Sequence, residues 1–307
     1  MMKTSDNKIE NELRSGAEHL ALSLIPEAGA IPRISNLDIY GMTIPLNGVM
    51  GGDLISFVNF RERYHLDARI ARALAQGQEE IAHRLQRLKR KGGILLADVA
   101  GHEFTDAIRA LILHQVFYLG ALYELDLYGQ ITTRLIEQIN MRFFKSRTLH
   151  KLAPDVDSTS FITLIYGEIS YTGRFRFVSA GHPPPLVFSC EYDRFVEISP
   201  DRLVSYPPLG LQLIEDNPDS SLFRSALGYM KNYTVNELNL MGKGDVLLLY
   251  TDGLVDPFSS YTQAQLERAV SRARNGTAQE ICKAILEDRK SAAEQTDDLS
   301  LVAIKYR

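Results

Sequence analysis

Cysteine is almost absent: Cys190 and Cys282 are the only two in 307 residues. Two thiols this far apart make neither a disulfide framework nor a zinc site of ordinary spacing. They are expected as reduced thiols in a reducing compartment. No run approaches the roughly 18 to 20 apolar residues that span a bilayer, so no stable membrane insertion is expected. The first twenty residues are polar and partly acidic, unlike a secretory signal, and point to a cytoplasmic protein. An excess of positive charge is also missing. Lys and Arg total 34 against 38 Asp and Glu, a net charge of −4, which argues against a nucleic-acid partner. There is no G-x-S-x-G elbow for a serine nucleophile, no P-loop and no dinucleotide fingerprint. What remains, 45% hydrophobic and 23% charged residues, describes a globular chain with ample core.

The order of elements is informative. Residues 8–25 have a mixed helical period ending at Pro26, which predicts an N-terminal helical extension over residues 1–29. Ile31–Ile44 reads as a turn and a strand. Asn47-Gly48 and Gly51-Gly52 are turn signals, and 54–60 is an apolar strand. Residues 62–91 are rich in Ala, Leu, Arg and Glu at helical spacing and predict an amphipathic insertion, broken near Gly77. Its basic end, RLKRK, reads as a solvated helix terminus or as a docking surface for an acidic partner. We expect this insertion outside the core and near the catalytic end. A short apolar run at 94–99, helices over 105–125 and 130–144, and a hairpin of 161–169 with 174–180 follow. Residues 190–240 have no clear period. Strand signals return at 245–252 and 299–306, with helical patterns over 263–289. Runs of strands flanking a pair of long helices predict an α+β layered domain rather than a doubly wound sheet.

Four places set an aspartate at a turn or strand end: Asp53 in GGD, Asp98 in ADVAGH, Asp252 in YTDG, and Asp297 with Asp298 in TDD. A strand end is a rigid mount, and an adjoining glycine lets a ligand approach. Carboxylates without nearby lysines gather only around a cation. An all-oxygen set suits Mg2+ or Mn2+, and a two-metal centre can activate water and bind a phosphoryl oxygen. Any one Asp-Gly can equally be a turn or cap residue. Asp106, at a helix start, and Asp256, before Pro257, read that way.

GGD at 51–53, ADVAGH at 97–102, SAGHPPPL at 179–186, GDVLLLYTDGLVDP at 244–257 and TDDLSLVAIK at 296–305, in this order, resemble the PP2C-type (PPM) metal-dependent serine/threonine phosphatases. The likeness is to their bacterial sporulation and stress-response branch and spans residues 30–307. It implies a four-layer α-β-β-α sandwich with two antiparallel sheets and two divalent cations, Mn2+ or Mg2+, at one end. Carried over by motif, Asp53 would bridge both ions, Asp98 and the carbonyl of Val99 would hold one, and Asp252 and Asp297 the other. Asp298 is the fallback ligand or a residue that orients the ligands. Three departures stand out. Ser56 replaces a further Asp frequent in the family, Glu103 replaces a small residue after Gly101-His102, and the insertion at 62–91 lengthens a usually short join.

His102 would donate a proton to the leaving oxygen or brace its loop. Glu103 would cap the next helix, select substrate or add a metal oxygen. His182 reads as a packed turn first and an active-site contact second. The resemblance implies hydrolysis of phosphoserine or phosphothreonine by metal-activated water, without a covalent intermediate. Its implied substrate is a small phosphorylated regulator of the anti-sigma-factor antagonist type. The alternatives are a metal-binding pseudophosphatase acting in partner switching, supported by Glu103 and the altered GGD surroundings, and a different metal hydrolase such as a nuclease. The acidic balance counts against the nuclease. The oligomeric state stays open.

Overall fold

The computed structural model describes residues 16, 30–46, 51–100, 104–145, 161–222, 225, 227–239, 242–255, 261–292 and 294–307. Most of the segment expected as an N-terminal helix lies outside these residues, as do His102, Glu103 and Asp256.

Two five-stranded antiparallel sheets form the centre. The first has the order β1 (Leu37–Ile44), β12 (Leu299–Tyr306), β11 (Val246–Tyr250), β6 (Leu186–Ser189), β7 (Arg194–Phe195). The second runs β10 (Asn236–Asn239), β5 (Arg174–Ala180), β4 (Ile162–Ser170), β3 (Lys91–Val99), β2 (Asp53–Val58). A short parallel pair, β8 (Leu213–Ile214) with β9 (Tyr229–Met230), lies apart. These short strands account for the lack of period between 190 and 240, because a two-residue strand has no alternation to read.

Strand alternation sorts the side chains into layers. Ile55 and Phe57 of β2, Ile94 and Leu96 of β3, Leu247 and Leu249 of β11, and Val302 and Ile304 of β12 meet between the sheets. Their neighbours face outward. Leu54, Leu95, Ala97 and Val99 pack under helices of the second sheet, while Val246, Leu248, Leu301 and Ala303 pack under helices of the first. Both faces of each sheet are covered, so these strands read as near-continuous apolar runs.

The outer layer on the first sheet is α6 (Gln263–Ala273) and α7 (Ala278–Ala292). Thr262 starts α6 through a capping box with Gln265. Ala278, Ile281, Cys282, Ile285 and Leu286 form the buried stripe of α7 at helical spacing. The second sheet is covered by α4 (Phe104–Tyr128) and α5 (Thr133–Lys145), through Ala110, Leu113, Phe117, Ile136 and Ile139.

The segment expected as an outlying insertion forms α1 (Phe60–Arg63) and two helices turning back at Gly77, α2 (Leu66–Ala75) and α3 (Glu79–Leu88). Its placement corrects the expectation twice. Phe60, Tyr64, Leu66, Leu85 and Leu88 belong to the core over the second sheet, so the hairpin is part of that core. It also joins β2 and β3 at their Val58–Gly93 pair, whereas Asp53 pairs with Asp98 at the other end. Five residues of strand place the two ends roughly 17 Å apart. The basic run ends there too, with Lys89 paired to Asp67 and Lys91 to Glu168.

Candidate active site

The apolar layer between the sheets turns polar at one end. Two residues along from Ile55, Leu96, Ile165, Phe177, Leu249 and Val302, the same alternation delivers Asp53, Asp98, Thr163, Ser179, Thr251 and Ser300. Register then aligns them. Asp53 faces Asp98 across β2 and β3, and Asp98 faces Thr163 across β3 and β4. Side chains directly opposite in such ladders lie roughly 5 Å apart at Cβ. Two carboxylates and a hydroxyl thus form one row.

Asp53 is 5% exposed. Thr251 Oγ1 donates to its Oδ2 at 2.8 Å and accepts the amide of Ser300 at 2.9 Å. Ser300 Oγ shares a 2.7 Å hydrogen bond with Thr43 Oγ1. The first sheet therefore presents hydroxyls to a carboxylate on the second. Burial raises the Asp53 carboxyl well above the usual carboxylate range, and the charge of Asp98 adds to this; the hydroxyls of Thr251 and Ser300 pull the other way.

Asp98 is raised to about 7, by burial first and then by the charges of Asp252, Asp297, Asp298 and Asp106. Asp252 follows Thr251 and is exposed, and Asp297 is half-buried. Asp298 is buried and does something else. Its two oxygens accept the amides of Leu46 at 2.7 Å and Gly52 at 2.6 Å, tying the GGD turn to β12. Its own amide donates to Asp297 Oδ1 at 2.8 Å. Two glycines permit this packing. A Cβ on Gly51 would lie 2.3 Å from the Asp298 carboxyl, and one on Gly253 would lie 1.9 Å from the Asp298 carbonyl.

Val99 is buried at the end of β3, where its amide donates to Gly52 O at 3.2 Å. Ser56 falls on the face of β2 opposite to Asp53, toward the helical layer, and so takes no part in the carboxylate row. Asp106 sits in the first turn of α4, as expected for a residue that complements a helix start, and pairs with buried Arg109. His182 is 5% exposed and its Nδ1 lies 2.9 Å from Thr163 Oγ1.

The donor set is all oxygen, and burial first, then neighbouring carboxylates, raises Asp53 and Asp98 above the usual carboxylate range. Both properties fit a hard divalent cation. Among the described residues, however, no three His, Cys, Asp or Glu side chains close around one point as they would on a bound ion.

Sequence reasoning missed Thr251, Ser300, Thr43 and Thr163 as partners of the site. The available signal was the phase of the strands: each of these, like Asp53 and Asp98, continues an inward-facing apolar alternation.

The sequence matches the family model for stage II sporulation protein E (SpoIIE) over residues 89–307. A curated relative, phosphoserine phosphatase RsbP of Bacillus subtilis (strain 168), is 28% identical over 217 residues, 70% of this chain and 46% of that protein. The chain thus aligns with about half the length of the curated relative it matches. Among solved structures, the SiaA-PP2C domain of Pseudomonas aeruginosa has a TM-score of 0.61 at 12% identity, covering 100% of both chains. The PP2C phosphatase domain of SpoIIE from Bacillus subtilis, with a fragment of its regulatory domain, has a TM-score of 0.59 at 15% identity, covering 89% of this chain and 64% of that one. The α-β-β-α sandwich described above is the PP2C fold. Among the described residues, no helix is long and apolar enough to cross a membrane.

Proposed function

The chain belongs to the SpoIIE family, and from that premise we propose that it is a metal-dependent phosphatase of phosphoserine or phosphothreonine in a protein substrate. The observation that supports this best is Asp98: paired in register with Asp53, it is held near neutrality by burial and by the charges of Asp252, Asp297 and Asp298, which arrive on other segments. Such crowding is costly without a cation and suits the assembly of one.

In this reading Asp53 would serve two cations, Asp98 and the Val99 carbonyl would hold one of them, and Asp252 and Asp297 would hold the other. Mn2+ or Mg2+ would supply activation of a water, charge neutralisation and a hold on the phosphoryl oxygens. The chain's own residues do the rest. Thr251 orients Asp53 by donating to one oxygen. Asp298 is spent on two backbone amides, which favours Asp297 over Asp298 as the ligand. Arg109 partners Asp106 beneath the row. For His102 and Glu103, which lie outside the described residues, we keep the roles the resemblance implies: a proton or a loop brace for His102, and a helix cap, substrate contact or metal oxygen for Glu103.

We assign residues 30–307 to one phosphatase unit, with 1–29 ahead of it and 62–91 as a helical insertion within it. The substrate class we favour is a small phosphorylated regulator, such as an anti-sigma-factor antagonist in a partner-switching pathway. The family and the phosphoserine phosphatase RsbP support it.

The test is hydrolysis of phosphoserine and phosphothreonine peptides by the whole chain, titrated with Mn2+. Turnover that rises with Mn2+ and vanishes on chelation is expected. A second reading, a metal-binding pseudophosphatase or interaction module, draws on the described carboxylates, no three of which close around one point. Mn2+ binding without turnover on either peptide or on a generic phosphomonoester would establish it.

A further inference from the structure

One polar side chain interrupts the buried stripe of α5. Asn140 is as deeply buried as Ile136 and Ile139 beside it, and asparagine is a poor residue for a helix interior. An amide at this depth is unfavourable unless it is hydrogen-bonded. Its partners lie in the irregular segment between β7 and β8. The Gly210 amide donates to Asn140 Oδ1 at 2.9 Å, and Asn140 Nδ2 donates to the Gln212 carbonyl at 2.7 Å. The side chain thus brackets Leu211 with two bonds of good length. Gly210 has a φ of +89°, a conformation that glycine adopts without strain.

The bracketed segment is fastened to the second sheet at the end that carries the aspartates. The register of β5 with β4 stops at Ser179 and Ile165, and beyond it Gly181 makes only an isolated bridge to Leu164. Past that point Leu209 takes the place of β5. Its amide donates to the Ile162 carbonyl at 2.8 Å, and its carbonyl accepts the Ile162 amide at 3.3 Å. Ile162 therefore spends both its backbone groups on Leu209. On its other flank Ile162 is the register partner of Val99, next to the pair of Thr163 with Asp98. Tyr206 ties the start of the segment to β5, donating its amide to the Ser179 carbonyl at 3.1 Å and accepting the Gly181 amide at 2.5 Å.

We propose that Asn140 is a positioning residue for the metal end of the second sheet: through Gly210 and Leu209 it holds the start of β4, and with it the Asp98 carboxyl and the Val99 carbonyl, in place. This rests on the phosphatase reading and adds to it a residue that touches neither substrate nor ion. Carboxylates that repel one another stay together only on strands that are held from behind. On one side β3 is held by β2, through the Asp53–Asp98 pair and the bond from the Val99 amide to Gly52. On the other side it is held by β4, whose own outer flank at Ile162 is closed by Leu209.

The experiment compares Asn140→Leu, Asn140→Asp and Leu209→Pro with the wild-type chain and with Leu85→Ala, a core variant at the far end of the sandwich. Mn2+ binding is read by calorimetry, stability by a thermal melt, backbone protection by hydrogen exchange on the metal-free chain, and kcat and KM on a phosphoserine peptide. Asn140→Leu keeps the volume and loses both bonds. It is expected to weaken Mn2+ binding by about tenfold or more, as for groups standing behind metal ligands, and to lose protection at the Ile162 and Ala100 amides. Leu85→Ala should lower the melting temperature and bind Mn2+ as the wild type does. Leu209→Pro removes the N–H given to Ile162 and should weaken Mn2+ binding as much as Asn140→Leu. Asn140→Asp keeps the acceptor for Gly210 and should lose less, and in each case kcat should fall more than KM rises. If Asn140→Leu and Leu209→Pro do not fold, Asn140→Asp set against Leu85→Ala decides the matter. Folded Asn140 variants that bind Mn2+ within about twofold of wild type, or no more weakly than Leu85→Ala, would overturn the positioning role and leave the phosphatase reading standing. A wild-type chain that binds no Mn2+ would overturn the phosphatase reading, and this inference with it.

Discussion

The two ends of the central sandwich are made by the same strands and close in opposite ways. At one end β2 and β3 finish in Asp53 and Asp98, beside Thr163, Thr251 and Ser300. At the other, Val58 and Gly93 lead into helices whose Leu66, Leu85 and Leu88 are sealed in the core. The inward alternation does not change between the ends; only its chemistry does. Apolar residues close one end with dispersion and burial, while the polar end carries carboxylates that repel each other. Stability is thus concentrated away from the site, and the site can hold an unfavourable charge arrangement because the far end and the middle do not depend on it.

The sharpest way to break this comparison is to remove the apolar closure. Replacing 62–88 with a short Gly/Ser link is expected to abolish cooperative unfolding, since it opens the core over the second sheet. Leu85→Ala alone should cost about 2–5 kcal/mol, with Mn2+ affinity of the folded protein unchanged. Urea melts with calorimetry on the same samples would check both. A replacement that melts like wild type would return the hairpin to the surface.

The polar end should answer in the opposite sense. Asp53→Asn is expected to lower turnover by about a hundredfold, more than the loss of most groups behind a ligand, with the fold intact. Steady-state rates at saturating Mn2+, with circular dichroism as control, measure it. A smaller loss, about tenfold in Mn2+ affinity, is expected for Thr251→Val, because the orienting donor goes while the carboxylate stays. Thr251→Ser should recover most of it, and equal binding by all three proteins would show that the Thr251 hydroxyl is idle.

The mildest effect is on pH. Asp98 holds its proton more tightly when folded, raised from 3.8 to about 7. That contribution stabilises the metal-free fold below the unfolded value and is lost as pH rises through the folded one. Metal-free melting temperatures should therefore decline across this window, from about 3.8 to about 7. Asp98→Asn should make the decline shallower, with Asp53 supplying what is left, and saturating Mn2+ should remove it. The same slope in Asp98→Asn would assign the titration to another group.

Much of this contrast was legible before any coordinates. The layered α+β class, the hairpin of β4 and β5, and helical patterns over 105–125 and 263–289 follow from period and turn chemistry; the structure extends the first to Phe104–Tyr128 and divides the second into α6 and α7. The aspartates stood out because each sits at a turn or strand end. The hydroxyl partners did not, since Ser and Thr are common and only register identifies Thr163 as the neighbour of Asp98. The hairpin's position was misjudged for a related reason. An amphipathic period tells that a face is buried, not against which layer or at which end. The resemblance put Asp297 ahead of Asp298, and the amides of Leu46 and Gly52 held by Asp298 are a detail only the structure shows.

The central claim is that the polar end is a two-cation centre built on four aspartates. Anomalous diffraction at the manganese edge, from crystals of the whole chain grown with Mn2+, tests it most directly. Two peaks are expected, one touching Asp53 and Asp98 and one touching Asp53, Asp252 and Asp297, with Asp298 still on its two amides. No peak between the two sheet ends, or a single peak elsewhere on the surface, would contradict it.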